Sequence, residues 1–166
     1  MYQASIPVFI RALENLSKIL DKAAAYAETK KIDPLVLINS RLAVDMLPLS
    51  RQVQIASDGV KGCAARLAGI ENPSYADTES TFPELQERIA KTIKFLQSVT
   101  PAQIDGSEDK DVTLKAGGAE RTFKGQPYLL KFVIPNLFFH VTTAHDILRH
   151  NGLDVGKKDY LGGYDY

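Results

Sequence analysis

The sequence predicts an all-α protein: an antiparallel four-helix bundle with a small β-hairpin before the last helix. Three observations predict it. Four stretches carry apolar residues at alternating spacings of three and four. Capping and stop signals bound the later stretches. One segment, 111–124, departs from that period and flanks Gly117-Gly118 with short alternating runs.

The first helix is expected over Tyr2 to Thr29. Ile6, Leu13, Leu20 and Ala27 recur every seven residues with Phe9, Leu16 and Ala23 between them, a bundle seam. Pro7 falls in the first turn, where a missing N–H is harmless. Asp33 and Pro34 then read as N-cap and first position of a short helical turn.

The second helix is expected from Asp45 or Pro48 to just before Gly69, with Leu49, Val53, Ala56, Val60, Cys63 and Leu67 on one face. Cys63 lies on that seam and reads as a small core residue. Gly59 and Gly62 each cost about 1 kcal/mol against Ala in a helix, which suggests a close helix–helix approach. The polar IENPSYADTES run makes a loop. Thr81 and Glu84 form a capping box for the third helix, expected over 82–98, whose core face is Leu85, Ile89, Ile93 and Leu96. Thr100-Pro101-Ala102-Gln103 repeats that signal for one more turn.

DVTLKA and ERTFKG around Gly117-Gly118 form the hairpin. The fourth helix is expected over 127–150. Leu130, Ile134, Leu137, Val141, Ala144 and Leu148 share one face, while Phe132 and Phe139 lie almost opposite. Pro135 should kink it, and Asn151-Gly152 should end it. Apolarity on two sides predicts a homodimer. The tail LDVGKKDYLGGYDY, rich in Tyr and Gly, reads as an extended segment docked as far as Leu161.

A single domain, 1–166, follows from the length. Twenty Lys and Arg balance twenty Asp and Glu, with a pI near 6.8, which argues against nucleic acid or a membrane surface as partner. The most apolar stretch is broken by Lys131, Pro135, Asn136 and His140, so no membrane span is expected. The N-terminus lacks a basic n-region and a cleavage site, and the chain has one cysteine. A cytoplasmic protein is the expectation.

RLAVDMLPLSRQVQIASDGVKGCAARLAG, the TFPEL start of the third helix, PNLFFHVTTAHDILRHNG and the closing GKKDYLG resemble an uncharacterised domain-of-unknown-function family (DUF1993) in the DinB/YfiT-like superfamily. The resemblance spans essentially the whole chain. It implies an up-down-down-up bundle, often dimeric. It also implies, for much of the superfamily, a divalent metal held by one histidine of the second helix and a His-x-x-x-His pair of the fourth. Some members are thiol-dependent transferases or isomerases. His140 is similar to the second histidine of that pair. Asn136 stands four residues before it, and the second helix has no histidine.

The residues themselves offer little for a metal. Two ligands on one helix need a spacing of three or four. His140, His145 and His150 are five apart, about 140° around the helix. His140 with Asn136 and a carboxylate, Asp45 or Asp58, is a nitrogen-poor set for zinc. His140 flanks the core face of its helix, and Gln52 flanks an inter-helix space. No cofactor is therefore expected, and zinc or nickel only under the alternative. The candidate site is a small-ligand pocket between the second and fourth helices at His140, Asn136, Gln52 and Asp45. The expected function is that of an uncharacterised small cytoplasmic bundle, homodimeric, either non-catalytic or with a small-ligand pocket between the second and fourth helices; the alternative is a DinB-like metal-dependent thiol transferase or isomerase. Phosphate loops, nucleophile elbows and paired-cysteine motifs are not found in the sequence.

Overall fold

The computed structural model describes residues 1–163. The first seam forms α1 (Ile6–Lys30), preceded by a single 3-10 turn at Tyr2–Ala4, and Lys31 closes it in the left-handed conformation. Asp33 caps the short α2 (Pro34–Ile38) by accepting from the Leu35 N–H at 2.9 Å. The second long helix, α3 (Leu49–Ala68), starts four residues later than Asp45. Pro48 is extended at its N-cap, and a residue before proline is pushed out of the helical region. The chain from Arg41 to Leu47 is therefore a turn-rich connection.

The Thr81–Glu84 capping box opens α4 (Phe82–Gln97), and the Thr100–Gln103 box opens the one-turn α5 (Pro101–Ile104). Strands β1 (Asp111–Ala116) and β2 (Ala119–Lys124) pair antiparallel, Asp111 opposite Lys124 and Val112 opposite Phe123. Gly117 and Gly118 both have positive φ, 60° and 79°, as a two-residue hairpin turn requires. The turn α6 (Gly125–Pro127) leads into π-helical residues Tyr128–Val133 and then α7 (Ile134–His150). A Cβ on Gly125 would overlap the Ser107 carbonyl, so only glycine fits where the hairpin rejoins the bundle.

Pro135 was expected to kink a continuous helix. The structure places π turns just before it, with the Ile134 N–H bonded five residues back to Leu129. A wider turn accommodates a ring that has no N–H and crowds the preceding turn.

Side-chain contacts establish the helix directions. Gln52 meets His140 and Arg66 meets Tyr128, so α3 and α7 run antiparallel. Arg88, near the start of α4, meets Ser57, while Lys110, beyond its end, reaches the Leu67 carbonyl; α3 and α4 are therefore parallel. Gln86 bonds Ser17 and Asp21 of α1, and the Met1 amino group pairs with Asp105 past the end of α4. The result is up-down-down-up. The long Gly69–Thr81 connection is what two parallel neighbours need.

The core runs the length of the bundle through Phe9, Leu16, Leu20, Val53, Val60, Leu85, Leu137 and Leu148. Of the two aromatics on the back of the fourth helix, Phe132 stacks on Phe123 of the hairpin at 5.6 Å and Phe139 is exposed. The tail is not extended: Gly156 precedes a short helix, α8 (Lys157–Leu161), held to α1 by Asn15 and Lys22. Tyr164 and Tyr166 of that tail lie outside the described residues. Among the described residues no helix is long and apolar enough to cross a membrane.

Candidate functional site

The most buried polar pair between α3 and α7 is Gln52 and His140, which are 2 % and 8 % exposed. Gln52 Nε2 donates to the Leu47 carbonyl at 2.9 Å, which fixes the amide orientation and turns Oε1 toward His140 Nδ1 at 2.7 Å. Since Oε1 can only accept, Nδ1 carries the proton and Nε2 keeps its lone pair. Burial holds the His140 pKa below its ordinary value, so the ring is neutral near pH 7.

Asn136, one turn earlier on α7, faces a different space. With Ile55, Asp58, Gly59, Arg66, Leu114, Tyr128, Phe132 and Val133 it lines a cavity of about 210 Å3. The cavity thus opens toward the hairpin end of the α3–α7 groove, lined by Asn136 and by neither His140 nor Gln52. Asp45 is not brought to either place. It lies exposed in the connection before α3, where the neighbouring Arg41 donates to the Met46 carbonyl.

Gly59 forms part of the cavity wall. A Cβ on Gly59 would stand 3.5 Å from Asn136 Nδ2, an ordinary contact with α7. Gly62 does not mark a close helix approach. Its bare face is covered by the guanidinium of Arg66 from its own helix, which a Cβ there would strike. Arg66 in turn donates to the Tyr128 hydroxyl at 3.2 Å. Burial, followed by the nearby Cys63, pushes the Tyr128 phenol up to about 12, so it keeps its proton.

Behind the cavity lies a charge cluster that sequence reasoning missed. Arg88 of α4 is fully buried; its guanidinium meets Asp58 at 2.8 Å, Asp77 at 2.8 Å and Glu79 at 2.9 Å, and its Nε donates to Ser57 at 2.7 Å. Lys61 pairs with the other Asp58 oxygen at 2.9 Å and sits 3.7 Å over the Tyr75 ring; Arg51 pairs with Asp77 at 3.0 Å. Three cations thus answer three carboxylates, and the connection 70–81 is fastened to α3 and α4. Burial alone would raise the Glu79 carboxyl, but hydrogen bonds from backbone, Arg88 and Gln54 hold it below the usual carboxylate range. The available signal was position: Arg88 follows Leu85 by three and precedes Ile89, on the core face of α4.

Cys63 is fully buried on the seam, and burial pushes its thiol far up, so it stays protonated. His145 Nδ1 is bonded to Asp146 at 2.8 Å, and His150 is exposed at the end of α7.

A family model described as "Domain of unknown function (DUF1993)" matches residues 1–161. The chain belongs to the DUF1993 family. A solved structure of a DinB family member from Shewanella denitrificans is similar over 99 % of this chain and 93 % of that one, with 43 % identity and a TM-score of 0.91. None of the curated proteins matches. This DUF1993 member therefore has the DinB-like fold, with its small hairpin before the last helix.

The donor set of this DUF1993 chain does not fit the superfamily's metal. His140 offers one imidazole nitrogen, Nε2; the position four before it is a carboxamide, and the facing helix supplies Gln52. Among the described residues no three His, Cys, Asp or Glu side chains converge where an ion could sit. Zinc sites take nitrogen, sulfur and carboxylate ligands, commonly three or four of them.

Proposed function

We propose that this protein is a small-molecule-binding bundle whose site is the cavity between α3 and α7, and that no metal takes part. The observation that carries it is the Asn136 carboxamide. It faces the cavity with no protein hydrogen-bond partner among the described residues, beside the apolar surfaces of Ile55, Phe132 and Val133. The lining is about evenly polar and apolar, and concave spaces that combine apolar walls with convergent polar groups are where small ligands bind. The volume is below the usual drug-site range of about 300–1,000 Å3, so the ligand is small. The Gln52–His140 bond stiffens the far end of the same groove, and a positioned wall binds with less ordering.

The test is a fragment screen by protein-observed NMR. Binders should shift the amides of Gly59, Val133 and Asn136, and Ile55→Trp, which fills the cavity, should abolish those shifts. Binders that map elsewhere on the wild-type protein would sink the proposal.

We further propose a cytoplasmic homodimer. Phe139 is 56 % exposed although its ring packs edge-on against His140, which supports a partner copy on that side of α7. Sedimentation at micromolar concentration showing only an 18.3 kDa species would contradict it.

A further inference from the structure

The polar groups around the cavity are unequal in what they still have to give. Asp58 also lines it, and its charge is answered by two cations, Lys61 at 2.9 Å from Oδ1 and Arg88 at 2.8 Å from Oδ2, although Oδ1 accepts no hydrogen bond among the described residues. Its charge belongs to the balanced cluster with Arg51, Asp77 and Glu79. Arg66 stands outside that balance. Its guanidinium has one hydrogen bond, to a neutral phenol, and no carboxylate among the described residues pairs with it. Because the Tyr128 oxygen accepts from Arg66, its own O–H is left to donate, and no acceptor for it lies within the described residues. Asn136 adds the amide N–H groups of its carboxamide. Three donors, one of them cationic, thus surround one space, with apolar walls from Ile55 and Val133.

The geometry points to a small organic carboxylate as the ligand, its carboxylate on Arg66 and Tyr128 and its apolar body against Ile55 and Val133. This rests on the proposal that the cavity is a ligand site. A guanidinium matches a carboxylate with parallel hydrogen bonds, and inside a partly enclosed site such charge-assisted bonds are roughly twice as strong as neutral ones. Gly62 is part of the device. With no side chain there, the half-buried Arg66 head lies against α3 over Gly62 and donates to the phenol.

Phenylacetate, benzyl alcohol and benzylamine share a ring and differ in the charge of the head group. Isothermal titration of the whole protein with each separates the two proposals. Phenylacetate is expected to bind at least about tenfold more tightly than the other two, the margin of a charge-assisted hydrogen bond. Arg66→Gln removes the cation. Gly62→Ala keeps the cation but displaces it, and each variant should bring phenylacetate down to the affinity of benzyl alcohol. Should Arg66→Gln fold poorly, Gly62→Ala gives the same comparison with the charge retained. Equal affinity for phenylacetate and benzyl alcohol, both lost in Ile55→Trp, would overturn the carboxylate inference and leave the cavity a ligand site. Binding of none of the three would overturn the carboxylate inference, and an empty fragment screen would remove the site with it.

Discussion

Gln52 and His140 meet across the α3–α7 interface at 2.7 Å, with the histidine Nδ1–H donating to an amide oxygen whose own nitrogen is tied to the Leu47 carbonyl. That chain joins the connection before α3 to the middle of α7. It also fixes the orientation of the His140 ring, which burial keeps neutral near pH 7.

Removing one partner should therefore be felt in stability. His140→Asn or Gln52→Leu is expected to cost about 1–2 kcal/mol, the range for a buried hydrogen bond with its partner left unsatisfied. A double-mutant cycle by urea unfolding should return a coupling of at least about 0.5 kcal/mol. Strict additivity would mean that the bond contributes nothing.

The pH dependence follows from opposite chemistries with the same sign. His140 has a depressed pKa in the native state, so below its ordinary value of 6.5 the unfolded chain binds a proton that the native protein does not. Stability should begin to fall as pH drops through that value, and a His140→Gln variant should be flat there. Asp77 and Glu79 are also depressed, burial being outweighed by Arg51, Arg88 and Gln54. Their contribution is present above about pH 4 and is lost as pH falls through their native values. Chemical unfolding from pH 8 to pH 3 should thus show two declines. Stability unchanged between pH 7 and pH 5 would contradict the burial of neutral His140.

Arg88 concentrates three carboxylates on one buried guanidinium. Arg88→Met should lose about 3–5 kcal/mol, because charged partners are left partly buried without an opposite charge. It should also free the 70–81 connection, read as faster proteolysis near Tyr75. A loss below about 1 kcal/mol would place the cluster among ordinary surface pairs.

Gly59→Ala should raise stability by up to about 1 kcal/mol, since the new methyl makes only an ordinary contact with Asn136 and the helix gains an alanine. Thermal unfolding is sufficient to check it. A lower melting temperature would show that α3 and α7 are closer than the structure places them.

The helices were legible because their information is local: the heptad seam of Ile6, Leu13 and Leu20, the Thr81–Glu84 box, the paired glycines of the hairpin. Of the two starts expected for α3, Pro48 is the N-cap; Asp45 competed because an apolar run, RLAVDMLPL, continues the pattern into a turn. The tail helix was missed since its stability comes from Asn15 and Lys22, far away in sequence. The same holds for the cavity. His140, Gln52 and Asn136 could be chosen from their helical positions, but Arg66 lies over Gly62 and reaches Tyr128 only in three dimensions. The Arg88 cluster draws on a loop with no periodicity, so nothing in the order of residues announces its partners.

The central claim is an organic ligand at the Asn136 end of the α3–α7 groove and no metal at His140. One crystallographic experiment addresses both halves: crystals soaked with phenylacetate and zinc, with data collected at the zinc absorption edge. The expected result is density for the organic acid between Arg66, Tyr128 and Val133 and no anomalous peak beside His140 Nε2. A zinc peak at about 2.0–2.1 Å from that nitrogen, with the cavity holding only water, would contradict the claim.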